Sequence, residues 1–179
     1  MAQLEKVTPL LVLDLDGTVR KGLDELGRFV NGPEDVEVFP EAVELMRRWK
    51  EQKRGRIIGV SNQGGIALGF VSLQRVAEAV FETQRQTGDL FDKIAICQHH
   101  PDAPDPEYAR CWCRKPAPGL VIESALEIAH RHSEIYPPYL GLFVGDRDED
   151  RECARICNFD FMLASDWRKL SARTDEQEE

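Results

Sequence analysis

Short apolar runs alternate along this chain with longer segments in which apolar residues recur every three or four positions. The long segments have the spacing of amphipathic helices, whereas the short runs, rich in Leu, Ile and Val, are typical of strands buried on both faces. Strands are predicted at residues 10–14, 56–61, 93–98, 139–145 and 159–164, and helices at 40–55, 72–88, 118–132 and 148–157. This alternation predicts an α/β fold with a Rossmann-like, doubly wound parallel sheet.

The helical segments also predict which side chains pack against the sheet, because residues three or four apart share one face of a helix. The second helix begins after Ser72, which has the chemistry of an N-cap. The side chains expected to face the core are Val76, Ala79 and Val80 in the second helix, with Phe81 at the flank of the same apolar face, and Leu120, Val121, Ala125, Leu126 and Ile128 in the third.

Composition narrows the class of protein. The chain has 179 residues and is 42% hydrophobic, which is enough for one domain with a full core; we expect that domain over residues 1–170 and a polar, acidic, disordered tail at 171–179. The net charge of −9 argues against a nucleic-acid partner, because affinity for a phosphate backbone comes from clustered Lys and Arg. No apolar stretch is long enough for a membrane span, and five cysteines fit a reducing cytoplasm. A monomer or weak oligomer is expected.

Candidate chemistry begins where the first strand ends, at Asp14-Leu15-Asp16-Gly17-Thr18. Open α/β sheets bind ligands at the carboxyl ends of their strands. Two carboxylates two residues apart repel each other and must be desolvated at this position, so packing gives no reason for them. The motif therefore predicts a functional site.

Polar groups follow two other strands and precede the third helix. Ser61-Asn62-Gln63-Gly64-Gly65 follows the second strand, and its glycine pair allows backbone N–H groups to form an anion-binding nest. Arg114-Lys115-Pro116 precedes the third helix, and an acidic turn from Asp146 to Asp150 follows the fourth strand. Any one of these turns is explained by helix capping. Their placement along one sheet edge instead predicts a single site that binds an anion.

Cysteine and histidine form a second cluster, in Cys97-Gln98-His99 and Cys111-Trp112-Cys113. Residues two apart in an extended segment point to the same side, so each triplet can present two ligands to one ion. The spacing predicts a closed, structural Cys₃His zinc site that staples the loop at 101–110. His100 is expected to point away from this ion, as a bystander or a substrate contact.

Taken in order over residues 10–164, the four strand-end motifs resemble those of haloacid dehalogenase-like (HAD) phosphatases. The resemblance implies that Asp14 attacks phosphorus and that Asp16 acts as general acid and then general base. It also implies that Mg²⁺ is held by Asp14, by the main-chain carbonyl of Asp16 and by Asp146, with Asp150 supporting the metal site from behind. The groups expected to bind phosphate are Thr18, Ser61, Asn62, Arg114 and Lys115.

The cysteine-rich loop narrows this resemblance to the zinc-containing HAD phosphatases that act on heptose 1,7-bisphosphate or on histidinol phosphate. The long loop and the Lys-Pro-x-Pro-Gly ending at 115–119 favour the heptose bisphosphate 7-phosphatase branch, whose substrate is a small phosphorylated metabolite. The resemblance implies no large cap domain; instead, residues 20–39 and the zinc loop would bound the mouth of the site. Histidinol-phosphate phosphatase, a nucleic-acid 3′-end phosphatase and a non-catalytic zinc-binding module remain as alternatives.

Overall fold

The computed structural model describes residues 6–22 and 29–172. The expected tail therefore lies outside the described residues except for 171 and 172, and part of the segment at 20–39 does too. The strands are β1 Lys6–Val7, β2 Leu10–Leu13, β3 Arg56–Asn62, β4 Lys93–Cys97, β5 Glu134–Ile135, β6 Gly141–Gly145 and β7 Asp160–Leu163. The helices are α1 Pro40–Arg48, α2 Leu73–Gln86, α3 Gly119–His132, α4 Asp148–Ile156 and α5 Ala164–Arg168.

The predicted parallel sheet is confirmed, with the strand order β4-β3-β2-β6-β7 and every pairing parallel. β2 lies at its centre, and all of its residues are buried. Leu10 and Val12 pack on one side with residues of α3 and α4, whereas Leu11 and Leu13 pack on the other with residues of α1 and α5. Because helices cover both faces, the central strand is apolar throughout rather than alternating, as the sequence pattern indicated.

Two of the predicted core positions are wrong. Phe81 on α2 is 71% exposed and Leu126 on α3 is 65% exposed. The inner faces are taken instead by Val76, Ala79 and Thr83 on α2 and by a set on α3 that includes Ser124 and Ile128. Residues two apart on a helix point in nearly opposite directions, so Phe81 cannot share a face with Ala79, or Leu126 with Ile128.

Several elements differ from the sequence expectation. The fourth predicted strand is shorter, because Pro138–Leu140 forms a 3₁₀ turn before β6. Helix α5 follows β7 directly, and the short pair β1–β5 forms a separate parallel sheet. In the described ranges, none of the helices combines the length and apolarity that crossing a bilayer requires.

Candidate active site

A buried lysine joins the carboxyl edge of the central sheet. Lys115 Nζ lies 2.5 Å from Asp14 Oδ1 and 2.6 Å from Asp150 Oδ1, and it donates a hydrogen bond to Val60 O at 3.0 Å. Asp14 directly follows β2, Val60 is in β3, and Asp150 is in the first turn of α4, after β6. Because parallel strands end at one edge, residues far apart in the chain meet at this amine.

Burial and the neighbouring charges set the protonation states of Asp14 and Lys115. Burial raises the pKa of Asp14 to about 7, against the lowering effect of the Lys115 ammonium. Burial by itself would lower the pKa of Lys115, but the charges of Asp14 and Asp150 raise it above its ordinary value. A further positive charge beside Asp14 would favour its carboxylate form. Lys115 is thus a fixed cation. A second cation beside Asp14 would keep the Asp14 carboxyl group ionised.

Asp150 connects this centre to Asp146. Its Oδ2 accepts hydrogen bonds from the backbone N–H groups of Asp146 at 3.2 Å and Arg147 at 3.1 Å. A carboxylate here also suits the positive end of the α4 dipole. A Cβ at Gly17, which has φ +88°, would overlap Asp146 Oδ2, and a Cβ at Gly145 would overlap Asp150. Glycine at both places therefore lets these carboxylates approach the end of β2.

Asp16 is held from both sides. Arg20 Nε donates to Asp16 Oδ1 at 2.7 Å, whereas Gln63 Nε2 donates to Asp16 Oδ2 at 2.7 Å. Arg20 is fully buried, and its Nη1 donates to Thr83 Oγ1 on α2 at 2.7 Å. Gln63 also donates to Ser61 Oγ at 2.7 Å. These contacts fix the plane of the Asp16 carboxylate.

Sequence reasoning did not assign a role to Arg20 or Gln63. Gln63 stood within the polar pentapeptide after the second strand, so its position was a usable signal. Arg20 lies only four residues after Asp16, but its second partner, Thr83, comes 63 residues later. Only the packing of α2 shows that this arginine points inward.

Two residues predicted to bind phosphate, Asn62 and Thr18, make other contacts in the structure, and their role toward phosphate stays a prediction. Asn62 Nδ2 donates to Lys115 O at 3.0 Å, and Lys115 N donates to Asn62 Oδ1 at 2.9 Å, so this side chain anchors the lysine backbone. Thr18 is fully buried and does not line the cavity described next. The tight turn after Asp16 directs the Thr18 side chain into the protein, and its carbonyl accepts a hydrogen bond from Arg168 Nη1 at 2.9 Å.

A cavity of about 370 Å³ opens above these groups. Asp14, Asp16, Ser61 and Lys115 form its charged and polar floor. Arg114 and His100 line the side that carries the zinc loop, and Arg114 Nη1 donates to His99 O at 3.0 Å. The apolar side chains that line the cavity are Phe29, Val30, Leu68, Phe70 and Val71, and Asn31, Arg147 and Glu149 line it as well.

The four predicted zinc ligands converge. Cys97 Sγ lies 3.7 Å from Cys111 Sγ, 3.2 Å from Cys113 Sγ and 3.5 Å from His99 Nδ1. A tetrahedral Zn²⁺ with ordinary bond lengths separates two sulfur ligands by about 3.8 Å, and sulfur from nitrogen by about 3.5 Å. The side chains therefore fit a closed zinc site. Arg114 N also donates to Cys111 Sγ at 3.3 Å, which ties this cluster to the residue before Lys115.

A second group of possible metal ligands lies at the sheet edge. One carboxylate oxygen from each of Asp14, Asp146 and Asp150 lies within 4.8 Å of the others. An all-oxygen donor set suits Mg²⁺, which is held through few carboxylates when a phosphate completes its shell. Asp146 is the exposed member, whereas Asp14 and Asp150 are both buried and both paired with Lys115. The donor set therefore fits one magnesium ion, and the division into the ligands Asp14 and Asp146 with Asp150 behind them stays a prediction.

A parallel α/β sheet with acid, hydroxyl and lysine groups at its carboxyl edge, together with a zinc loop, defines a phosphatase of the HAD superfamily. No protein-family model matches the chain. Individual relatives do match it. The chain is 32% identical over 152 residues to D-glycero-D-manno-heptose-1,7-bisphosphate 7-phosphatase of Chlorobaculum tepidum, covering 82% of this chain and 73% of that one. It is 30% identical over 164 residues to D-glycero-beta-D-manno-heptose-1,7-bisphosphate 7-phosphatase of Escherichia coli K12, covering 87% and 78%.

Solved structures of phosphatases are similar to this chain. D,D-heptose 1,7-bisphosphate phosphatase of B. bronchiseptica, complexed with magnesium and phosphate, matches with a TM-score of 0.68 and 25% identity, over 87% of this chain and 80% of that one. A HAD-like phosphatase from Mesorhizobium loti shares the fold with a TM-score of 0.74 at 21% identity, over 93% and 86%. The chain belongs to the D-glycero-D-manno-heptose-1,7-bisphosphate 7-phosphatase family.

Proposed function

We propose that this protein is a Mg²⁺-dependent phosphomonoesterase whose substrate is D-glycero-D-manno-heptose 1,7-bisphosphate, cleaved at the 7-phosphate. The observation that carries the chemistry is the buried Asp14–Lys115 pair, with the fixed Asp16 carboxylate on the same cavity floor. A carboxylate with a second carboxylic group beside the same small cavity suits covalent transfer through an aspartyl-phosphate. The relatives' names and the magnesium and phosphate bound to the B. bronchiseptica enzyme support the substrate and the metal.

In this mechanism, an Asp14 oxygen attacks phosphorus, and the ester oxygen leaves with the bonding electron pair. Asp16, protonated at this stage, gives its proton to that oxygen, so the leaving group departs as an alcohol. Asp16 then takes a proton from water, whose oxygen attacks phosphorus and releases Asp14 as a carboxylate. Atoms and charge balance over the cycle, with water consumed and inorganic phosphate released.

The charges explain why a cation is needed. A phosphate dianion next to Asp14 and Asp146 adds repulsion of about 4 kcal/mol for each pair of unit charges at ~4 Å and an effective dielectric near 20. Lys115 and Arg114 line the cavity and offset part of this charge. Mg²⁺ held by Asp14, the Asp16 carbonyl and Asp146 supplies the remaining positive charge when bound. Zinc is assigned no step in the reaction, because four protein ligands leave it no open position.

Two finer assignments rest on composition. The five cysteines are free thiols, which persist in reducing compartments, and this supports a cytoplasmic location. The net charge of −9 disfavours a nucleic-acid substrate. A monomer or weak oligomer remains a prediction.

The substrate assignment is tested by measuring phosphate release from a panel with Mg²⁺ present. The panel contains heptose 1,7-bisphosphate, histidinol phosphate and a 3′-phosphorylated oligonucleotide. We expect the highest kcat/KM on the heptose, with phosphate released from position 7. A higher value on either other compound transfers the assignment to it, and no release from any of them favours a non-catalytic zinc module.

The general-acid role of Asp16 predicts a dependence on the leaving group. Asp16→Ala should lower kcat on an alkyl phosphate by about a hundredfold or more, but should cost much less on p-nitrophenyl phosphate, whose phenolate needs little protonation. Steady-state rates on the two substrates measure this difference. Equal losses on both would remove Asp16 from proton transfer.

Arg20 is proposed as a positioning residue that acts through Asp16. Arg20→Gln removes the 2.7 Å contact to Asp16 Oδ1, and we expect kcat on an alkyl phosphate to fall by about tenfold with little change in KM. Because Arg20 is fully buried, Thr83→Val serves as a second variant that removes a partner of the guanidinium without touching Asp16. Arg20→Lys should recover part of the rate. A uniform loss on alkyl and p-nitrophenyl phosphates would indicate a role in folding alone.

A further inference from the structure

The lining of the cavity is of two chemical kinds. Its floor carries the charged and polar groups already described, and Asn31, Arg147 and Glu149 also line it, whereas Leu68, Phe70 and Val71 contribute apolar surface together with Phe29 and Val30. The side chains of Phe70 and Phe29 are 79% and 58% exposed among the described residues. Large apolar side chains at a cavity mouth cost solvation free energy unless a bound molecule covers them.

The apolar wall is built into the same turn that carries the phosphate-binding groups. Directly after Gln63 the chain folds back, and Phe70 N donates to Gly65 O at 2.9 Å while Leu68 N donates to Gly64 O at 3.2 Å. Gly69, with φ +74°, allows this reversal. Leu68, Phe70 and Val71 are thus held by backbone hydrogen bonds within a few residues of Ser61 and Gln63. Val30 extends the wall from a different segment and packs with Val36 and Ala79.

This arrangement fixes where each part of a substrate lies. The phosphoryl group belongs on the floor, beside Asp14 and Lys115, so the ester oxygen and the carbon group attached to it extend toward the mouth. On the apolar side, that carbon group meets hydrocarbon and aromatic surface. The side chains of Leu68, Phe70 and Val71 offer no hydrogen-bond donor or acceptor for hydroxyl groups, whereas Asn31, which follows Val30 in the chain, is a polar member of the lining. A group with an apolar face is therefore bound better there than one with hydroxyls on all sides.

We infer that Leu68, Phe70 and Val71 form a leaving-group subsite that selects phosphate monoesters presenting an apolar face next to the ester oxygen. The inference rests on the proposed phosphomonoesterase function and adds to it a class of substrate: the apolar face is either an aromatic ring or the C–H face of a sugar ring. Aryl phosphates are then bound through this wall, in addition to reacting readily because their leaving group is good.

The test compares phenyl phosphate with glycerol 3-phosphate, a small phosphate ester without a flat apolar face. Phe70→Ala should raise KM for phenyl phosphate by about tenfold and change KM for glycerol 3-phosphate by less than about threefold. Phe70→Leu, which keeps apolar surface, should restore most of the affinity. The matched control is Phe81→Ala, because Phe81 is exposed to a similar degree but lies on α2 outside this cavity.

The two sources of an apolar face are separated by running the same variants on heptose 1,7-bisphosphate. A raised KM on the heptose as well shows that the sugar ring uses the wall, whereas a change on phenyl phosphate alone shows that aromatic groups are the preferred occupants. Equal changes on phenyl and glycerol phosphates overturn the inference. So does a lowered melting temperature with unchanged KM, which would mean that the chain's own residues cover Phe70. Absence of any turnover by the unmodified protein would instead reject the proposed phosphatase function.

Discussion

Replacing Asp14 with asparagine is expected to lower the rate of phosphate release by more than about a hundredfold, with the fold retained. A carboxamide cannot attack phosphorus, so no covalent intermediate forms. Asparagine has the shape of aspartate, and the buried carboxylate that it replaces is costly, as its pKa of about 7 shows. Lys115 keeps its contact with Asp150. We therefore expect a melting temperature close to that of the unmodified protein.

The control for this variant is Asp160→Asn, which makes the same chemical change at an exposed position that begins β7, away from the cavity. It should leave the rate and the melting temperature unchanged. Trapping of acid-quenched protein after incubation with labelled phosphate ester gives a second readout, because only the unmodified enzyme should retain covalent label. Activity of Asp14→Asn above a hundredth of the unmodified rate would exclude Asp14 as the nucleophile.

Loss of zinc is expected to destabilise the protein and to weaken substrate binding together. Protein prepared without chelators should contain about one zinc per chain, and Cys111→Ser should lose it. A loss of about 3 kcal/mol would lower the melting temperature of a chain of this size by roughly 10 °C, and a structural zinc can contribute more than that. KM should rise because Arg114, which donates to Cys111 Sγ and to His99 O, loses its anchor next to Lys115.

Elemental analysis, thermal melting and KM measure these three effects on the same preparations. Cys157→Ser is the matched control, since this partly buried thiol packs against the core and belongs to neither metal cluster. It should retain zinc and KM. Zinc-free protein at the outset would reject the site, and loss of zinc by Cys111→Ser with unchanged stability and KM would reject its coupling to Arg114 and Lys115, which we propose to bind phosphate.

Much of the fold follows from local pattern. The apolar runs predicted each strand of the central sheet, because a strand covered on both faces must be apolar throughout. The prediction was weaker at helix faces. Phe81 and Leu126 were expected in the core because they are apolar and near other apolar residues, but the direction of a helical side chain depends on which face meets the sheet. Helix α5 was missed because its start at Ala164 directly continues the last apolar run.

The sequence by itself determined which groups meet at the sheet edge. Parallel strands end together, so Asp14, Ser61 and Asp146 had to lie near one another once the strand–helix alternation was read. The paired spacing of cysteine and histidine likewise determined the zinc cluster, since alternate residues of an extended segment share one side. Both inferences depend only on backbone geometry that local sequence dictates.

Only the tertiary structure decided which way the remaining side chains point. The Arg20 guanidinium is buried because α2 presents Thr83 to it on the side away from Asp16 Oδ1, and Asn62 turns to Lys115 because the third helix begins beside β3. The apolar wall at Phe70 likewise depends on a turn that folds back onto Gly64 and Gly65. Such orientations are set by partners distant in the chain or by turn geometry, and the free energy of a side-chain contact does not exist until packing brings both partners together.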